Sequence, residues 1–144
     1  MLKRYMVTDR TGTTLLIRLM VGAVFLSEGI QKFLYADKLG VGRFAKIGLP
    51  SPEVLGPLVG SFEILCGVLI LIGLCVRFAA IPLICIMLVA IFTTKLPMLT
   101  DKGIGYMLHE SRTDWAMLLG SLFLLLNGGG RWSLDSRIGG TKWK

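Results

Sequence analysis

Residues 54–76 run for 23 positions with Glu63 as their only charged side chain. At about 1.5 Å per residue such a stretch spans a hydrocarbon core of about 30 Å, and an ordinary soluble domain has little use for it. Three more apolar runs follow the same logic, at 15–33, 78–94 and 115–127. The fourth is short for a crossing, so it is expected to extend back through Arg112 to Asp114 at headgroup level, giving about 113–127, or forward into the glycines after it. The expected fold class is therefore an all-α integral membrane four-helix bundle, a single domain over 1–144.

Composition agrees with lipid as the solvent. The chain is 53% hydrophobic and 17% charged, with a mean hydropathy of +0.70, whereas soluble domains carry roughly a quarter charged residues. The net charge of +7 comes from Lys and Arg at the ends and between the runs, with no basic stripe interleaved with aromatics. That distribution points to anionic lipid headgroups as partner rather than nucleic acid. The first run follows a basic start, Met1 to Arg10, as a signal peptide would, but it has no small-residue cleavage site and carries Glu28 and Lys32 near its end. It is expected to remain in a multi-pass protein of the cell (inner) membrane.

Three cysteines, Cys66, Cys75 and Cys85, lie in apolar runs without a CxxC pair. They read as small packing residues, and the spacing gives neither a redox dithiol nor a zinc site.

Only Arg77 separates the second and third runs, which predicts a tight antiparallel hairpin with Gly73 loosening the end of the second helix. Pro82 costs little if the third helix starts near it and kinks the helix if it starts earlier. The N-terminal face collects Lys3, Arg4, Arg10, Arg77, Arg131, Arg137, Lys142 and Lys144, and the opposite face Lys38, Arg43, Lys46, Lys95, Lys102 and Arg112. By the positive-inside rule both termini are expected to be cytoplasmic. Between the first two runs, Leu39, Phe44 and Ile47 with basic residues between them predict a short interfacial helix ending at Gly48-Leu49-Pro50. Lys95 to Asp114 reads as a loop over the mouth of the bundle.

The chemistry-bearing candidates are the charges at membrane depth. Glu63 must be paired or protonated, because a lone charge there costs a few kcal/mol. Gly56, Gly60 and Gly67 flank it at helical spacing and invite close approach of another backbone. On the first helix Glu28 and Lys32 are four apart in the favourable order, with Gln31 nearby and Gly29 on the same stripe as Gly22 and Phe25. If the first two helices are antiparallel, Glu28, Gln31, Lys32 and Glu63 meet as an intramembrane polar cluster able to hold a single proton. The bland alternatives are that Glu63 hydrogen-bonds a neighbouring helix and that Lys32 snorkels to headgroups. Arg18 is expected to snorkel to phosphate, and Asp114 to cap the fourth helix. The group around His109, Glu110, Arg112 and Asp114 is better explained as a solvated helix entry than as a metal site, so no metal is expected.

The order of the motifs resembles the DoxX family of small membrane proteins. Gly29 and Lys32 close the first span, Gly48-Leu49-Pro50 with Pro52 precedes the second, and Glu63, Gly67 and Leu71 to Leu74 followed by Arg77 match its second-helix signature. Gly128, Gly130, Ser133, Leu134 and Asp135 match its closing pattern. The resemblance covers about 15–137. It implies a four-helix membrane bundle and an association with respiratory or thiol redox systems, since one branch is named as a membrane subunit of a thiosulfate:quinone oxidoreductase. The chain departs from that pattern at Lys95, where many relatives carry histidine.

Three functions compete. One is an accessory or quinone-linked component of a membrane redox system, with quinone as the ligand and a redox protein as partner, serving as a non-catalytic subunit. The second is a transporter or permease for a small solute or proton, and the third a structural or accessory assembly protein whose buried charges fix helix register and partner choice, the partner being a second copy in a homo-oligomer or another protein. No residue is assigned a catalytic role.

Overall fold

The computed structural model describes residues 11–139, so Lys3, Arg4, Arg10, Lys142 and Lys144 of the charge count lie outside the described residues. Every regular element among the described residues is helical. Helix α1 is Thr14–Leu34, and two short helices follow, α2 (Ala36–Leu39) and α3 (Val41–Lys46). Then come α4 (Pro52–Ile72), α5 (Val76–Ala90), a π-helical turn (Ile91–Lys95), α6 (Leu96–Lys102), α7 (Ile104–Asn127) and α8 (Leu134–Gly139). Three stretches are long and apolar enough to cross a membrane: Thr14–Leu34, Pro52–Ile72 and the continuous Val76–Lys102. Helix α7 has the length, at 24 residues, but its first half carries His109, Glu110, Arg112 and Asp114.

Glycine decides which faces meet. A Cβ on Gly29 would stand 2.8 Å from the Gly60 carbonyl oxygen, and one on Gly67 would stand 2.8 Å from Leu26 N and 3.0 Å from the Gly22 carbonyl oxygen. The backbones of α1 and α4 therefore touch along an antiparallel seam in which one step up α1 matches one step down α4. Gly56, from the same row, faces Val41 at the start of α3 instead. Helix α5 packs on α7 and on α4, and α7 returns to α1, so α1 and α5 stand across from each other. The core between them is Val21, Phe25, Ile70, Val76, Leu83, Met117 and Leu124 with their neighbours. Large apolar side chains such as Leu16, Val54, Phe92 and Leu126 point outward, as they should when the surroundings are lipid.

One end of the molecule is tied by polar contacts that the sequence reading placed wrongly. Arg18 does not snorkel. It is 2% exposed and donates to the carbonyls of Ile70 and Leu71 at the end of α4 and of Gly129 and Trp132 after α7. A fork of donors suits this task, because the last carbonyls of a helix lack partners of their own. The α4–α5 turn is Gly73 to Cys75, so Val76 and Arg77 open α5 rather than separate the two helices. Gly73 adopts φ 77°, and Leu74 N donates to the Leu69 carbonyl at 2.9 Å, the C-terminal arrangement that ends a helix on a left-handed residue. Asp135 then accepts from Cys75 N at 2.7 Å and Val76 N at 2.9 Å, satisfying the first donors of α5 from across the chain.

Residues 96–102 and 104–127 are helical as well. Instead of a loop, the chain continues as α6, turns at Gly103 and starts α7 at once. Asp114 is thus mid-helix and caps nothing. Helix α5 also starts at Val76, six residues before Pro82, which places that ring in the helix interior. The segment between the first two spans is helical as expected, as the pair α2 and α3, with Phe44 of α3 buried.

Candidate ligand site in the cavity between the helices

Helical side chains lean toward the N-terminus of their own helix. On antiparallel neighbours they therefore lean toward each other, and this geometry brings Lys32 and Glu63 together. By the glycine register Lys32 lies about 9 Å along the axis from the level of Glu63. Its stem leans back toward the tied end while the Glu63 side chain leans away from it. The ammonium Nζ stands 2.7 Å from Glu63 Oε2 and 3.8 Å from Glu28 Oε2. The Glu63 side chain is 4% exposed and that of Glu28 47%, so the triad reaches from the interior to the surface. Lys32 is engaged here and does not snorkel. Gln31 stays outside the group and donates to Ser27 Oγ at 2.9 Å.

The π turn makes a second pair. Thr93 and Thr94 hydroxyls bond back to the carbonyls of Val89 and Ala90 at 2.7 and 2.6 Å, which supports the widened turn locally. Lys95 at its end reaches Asp114 Oδ2 of α7 at 3.1 Å and the Glu110 carbonyl at 2.9 Å. The two pairs follow one rule: the lysine rides a helix leaving the tied end, and the carboxylate rides its antiparallel partner.

Both pairs line one cavity of about 600 Å³. Its walls are largely apolar, with Phe25 from α1, Phe44 from α3, Val59 from α4 and Met117 from α7, and Arg43 and Cys85 also face it. Cys66, Cys75 and Cys85 are all free thiols. Among the described residues no group of three or more His, Cys, Asp or Glu is placed to hold a metal ion. A volume of this size with apolar walls and a few convergent polar groups is the usual form of a small-molecule site.

The remaining residues singled out by sequence serve the tied end. Gly128 and Gly130 take φ 79° and 76°, and a Cβ on Gly130 would meet Thr14 Cβ at 2.6 Å. Ser133 Oγ donates to the Gly130 carbonyl at 2.6 Å and accepts from Ser136 N at 3.1 Å. Leu134 starts α8, which carries the buried Asp135. These positions close the fold and lie away from the cavity. Sequence reasoning missed Lys95 with Asp114, whose signal was a lysine and a carboxylate flanking a segment rich in Leu and Met.

The DoxX family model matches residues 13–96, more than half of the chain. The chain belongs to the DoxX family. An uncharacterized membrane protein of Mycobacterium tuberculosis is 54% identical to this DoxX chain over 128 residues, covering 85% of it and 78% of the relative. A Bacillus subtilis protein named "Putative oxidoreductase CatD" is 30% identical over 122 residues, covering 85% of this chain and 84% of the relative. No solved structure matches the chain.

Proposed function

We propose that this DoxX protein is a quinone-linked accessory component of a membrane redox system, a non-catalytic subunit that holds a quinone-type ligand in the cavity. The observation that carries the reading is the apolar-walled cavity of about 600 Å³ with the Lys32–Glu63 pair on its wall. Quinone, when bound, supplies the electron-carrying chemistry. The residues present suit it: Phe25 and Phe44 offer apolar faces to a ring, and the Lys32 ammonium offers a donor to a ring oxygen. Glu28 and Glu63 share one ammonium, so the triad can keep or release a proton close to that oxygen. The name of the Bacillus subtilis relative supports a redox setting.

The membrane arrangement belongs to the same reading. In this reading α7 makes the fourth crossing through its apolar half, and the position of its exit beside the start of α1 supports it. Arg131 N donates to the Thr11 carbonyl there at 3.4 Å, and Arg18 joins both to the α4–α5 turn. Four spans put both ends of the chain on one side, taken as cytoplasmic in the cell (inner) membrane.

The test is native mass spectrometry of the gently extracted protein, wild type against Glu63→Gln. A quinone-mass adduct on the wild type that is lost in the variant is the expected outcome. Phospholipid alone on both forms overturns it. A second reading draws on the exposure of Glu28 beside buried Glu63: a proton or small solute could pass along the triad. Glu63-dependent flux in reconstituted vesicles, without quinone binding, would favour that reading.

A further inference from the structure

The cavity has two polar poles, and only one of them came from charges in an apolar run. Lys32 is carried by α1, and Lys95 stands at the end of the turn that continues α5, the helix across from α1. The Lys32 side chain is 11% exposed and that of Lys95 13%. Each ammonium is oriented by a carboxylate on the neighbouring helix, Glu63 and Asp114 respectively, so each is a fixed donor rather than a mobile surface charge. Lys95 already donates to Asp114 and to the Glu110 carbonyl, and Lys32 faces Glu63 with Glu28 farther off, so of the three donors of each ammonium one is left for an acceptor in the cavity. The rest of the cavity lining is largely apolar, with Arg43, Thr93 and Thr94 among it.

We propose that Lys95, held by Asp114, is the second recognition group of this cavity, so that its ligand is two-ended: a compact apolar ring with a carbonyl-type oxygen on each side, one facing Lys32 and the other Lys95. The inference rests on the reading of the cavity as a ligand site. It adds a residue and a shape requirement that the redox reading does not need. The π turn is then the device that aims Lys95 inward, which agrees with the tendency of such turns to occur at sites of binding.

Three probes with the same decyl chain test it on the full protein in lipid nanodiscs: a para-quinone, a redox-inert cyclohexane dione with its carbonyls across the ring, and a cyclohexanone with one carbonyl. Binding is followed by native mass spectrometry and by protection of Cys85, which is exposed on the cavity wall, from a small thiol reagent. Removing a charged hydrogen-bond donor should weaken both two-ended probes about tenfold or more in Lys95→Met and leave the single ketone unchanged. Because Lys95→Met leaves Asp114 without its cation, the double variant Lys95→Gln with Asp114→Asn is measured beside it and should show the same pattern. Equal losses for all three probes, or none for any, overturn the proposal. Quinone binding that ignores Lys95 sinks the two-ended site and leaves the redox reading intact. Lys95-dependent binding of the dione without the quinone does the reverse, and failure of every probe to bind removes both.

Discussion

Arg18 shows how one side chain can determine a chain's closure. Its guanidinium gathers four backbone carbonyls from two distant segments, and no ammonium can reproduce that fork. Arg18→Lys should lower the unfolding temperature in detergent, and Arg18→Met should do so more, by an amount equivalent to about 3 kcal/mol or more. A thermal-shift measurement with both variants within error of wild type would contradict this role. The sequence could not reveal it, since a basic residue one turn into a span looks the same whether it reaches for phosphate or for carbonyls more than fifty residues away. Glu63 and Lys32 were legible for the opposite reason. A charge deep in an apolar run must find a partner, and few candidates share its depth.

At the scale of elements, the α1–α4 seam depends on positions where any side chain would collide with backbone. Gly29→Ala would place a methyl 2.8 Å from the Gly60 carbonyl oxygen and 2.9 Å from Ile64 N. Gly67→Ala meets Leu26 N in the same way. Neither obstacle can rotate aside, so both variants should destabilise the protein by about 1–3 kcal/mol and draw Lys32 away from Glu63. Gly105→Ala on α7 meets nothing within 4 Å and should be neutral or slightly stabilising, by up to about 1 kcal/mol. Unfolding curves for the three variants check the contrast, and a destabilised Gly105→Ala would mean that the contacts are misassigned. The small-residue row was visible as spacing, yet spacing did not say that Gly56 faces α3 while Gly60 faces α1. The segment 95–114 was misread because mixed polarity looks like a loop, whereas helices extending past the hydrocarbon carry the same mixture. Lys95 and Asp114 were therefore never considered as partners, although they form half of the candidate site.

For the whole molecule, the proposed fourth crossing by α7 implies a topology that can be measured. Thr11 and Gly12 lie against Arg131 and Trp132, and the α4–α5 turn joins them through Asp135 N to the Gly73 carbonyl at 2.9 Å. Reporter fusions after residue 10 and after residue 139 should therefore report the same compartment, and a fusion at Gly48 the opposite one. Opposite results for the two terminal fusions would remove α7 as a crossing. All the polar ties just described gather at one end, while the cavity's Lys32, Arg43 and Lys95 lie toward the other. Arg18 and Lys32 are about 21 Å apart along α1. A helix pinned at the first point needs to tilt by only about five degrees to move the second by about 2 Å. Lever length thus makes the Lys32 end the place where a small rotation at the pivot is felt most, and the close Gly29–Gly60 approach beside it is what holds that end against α4.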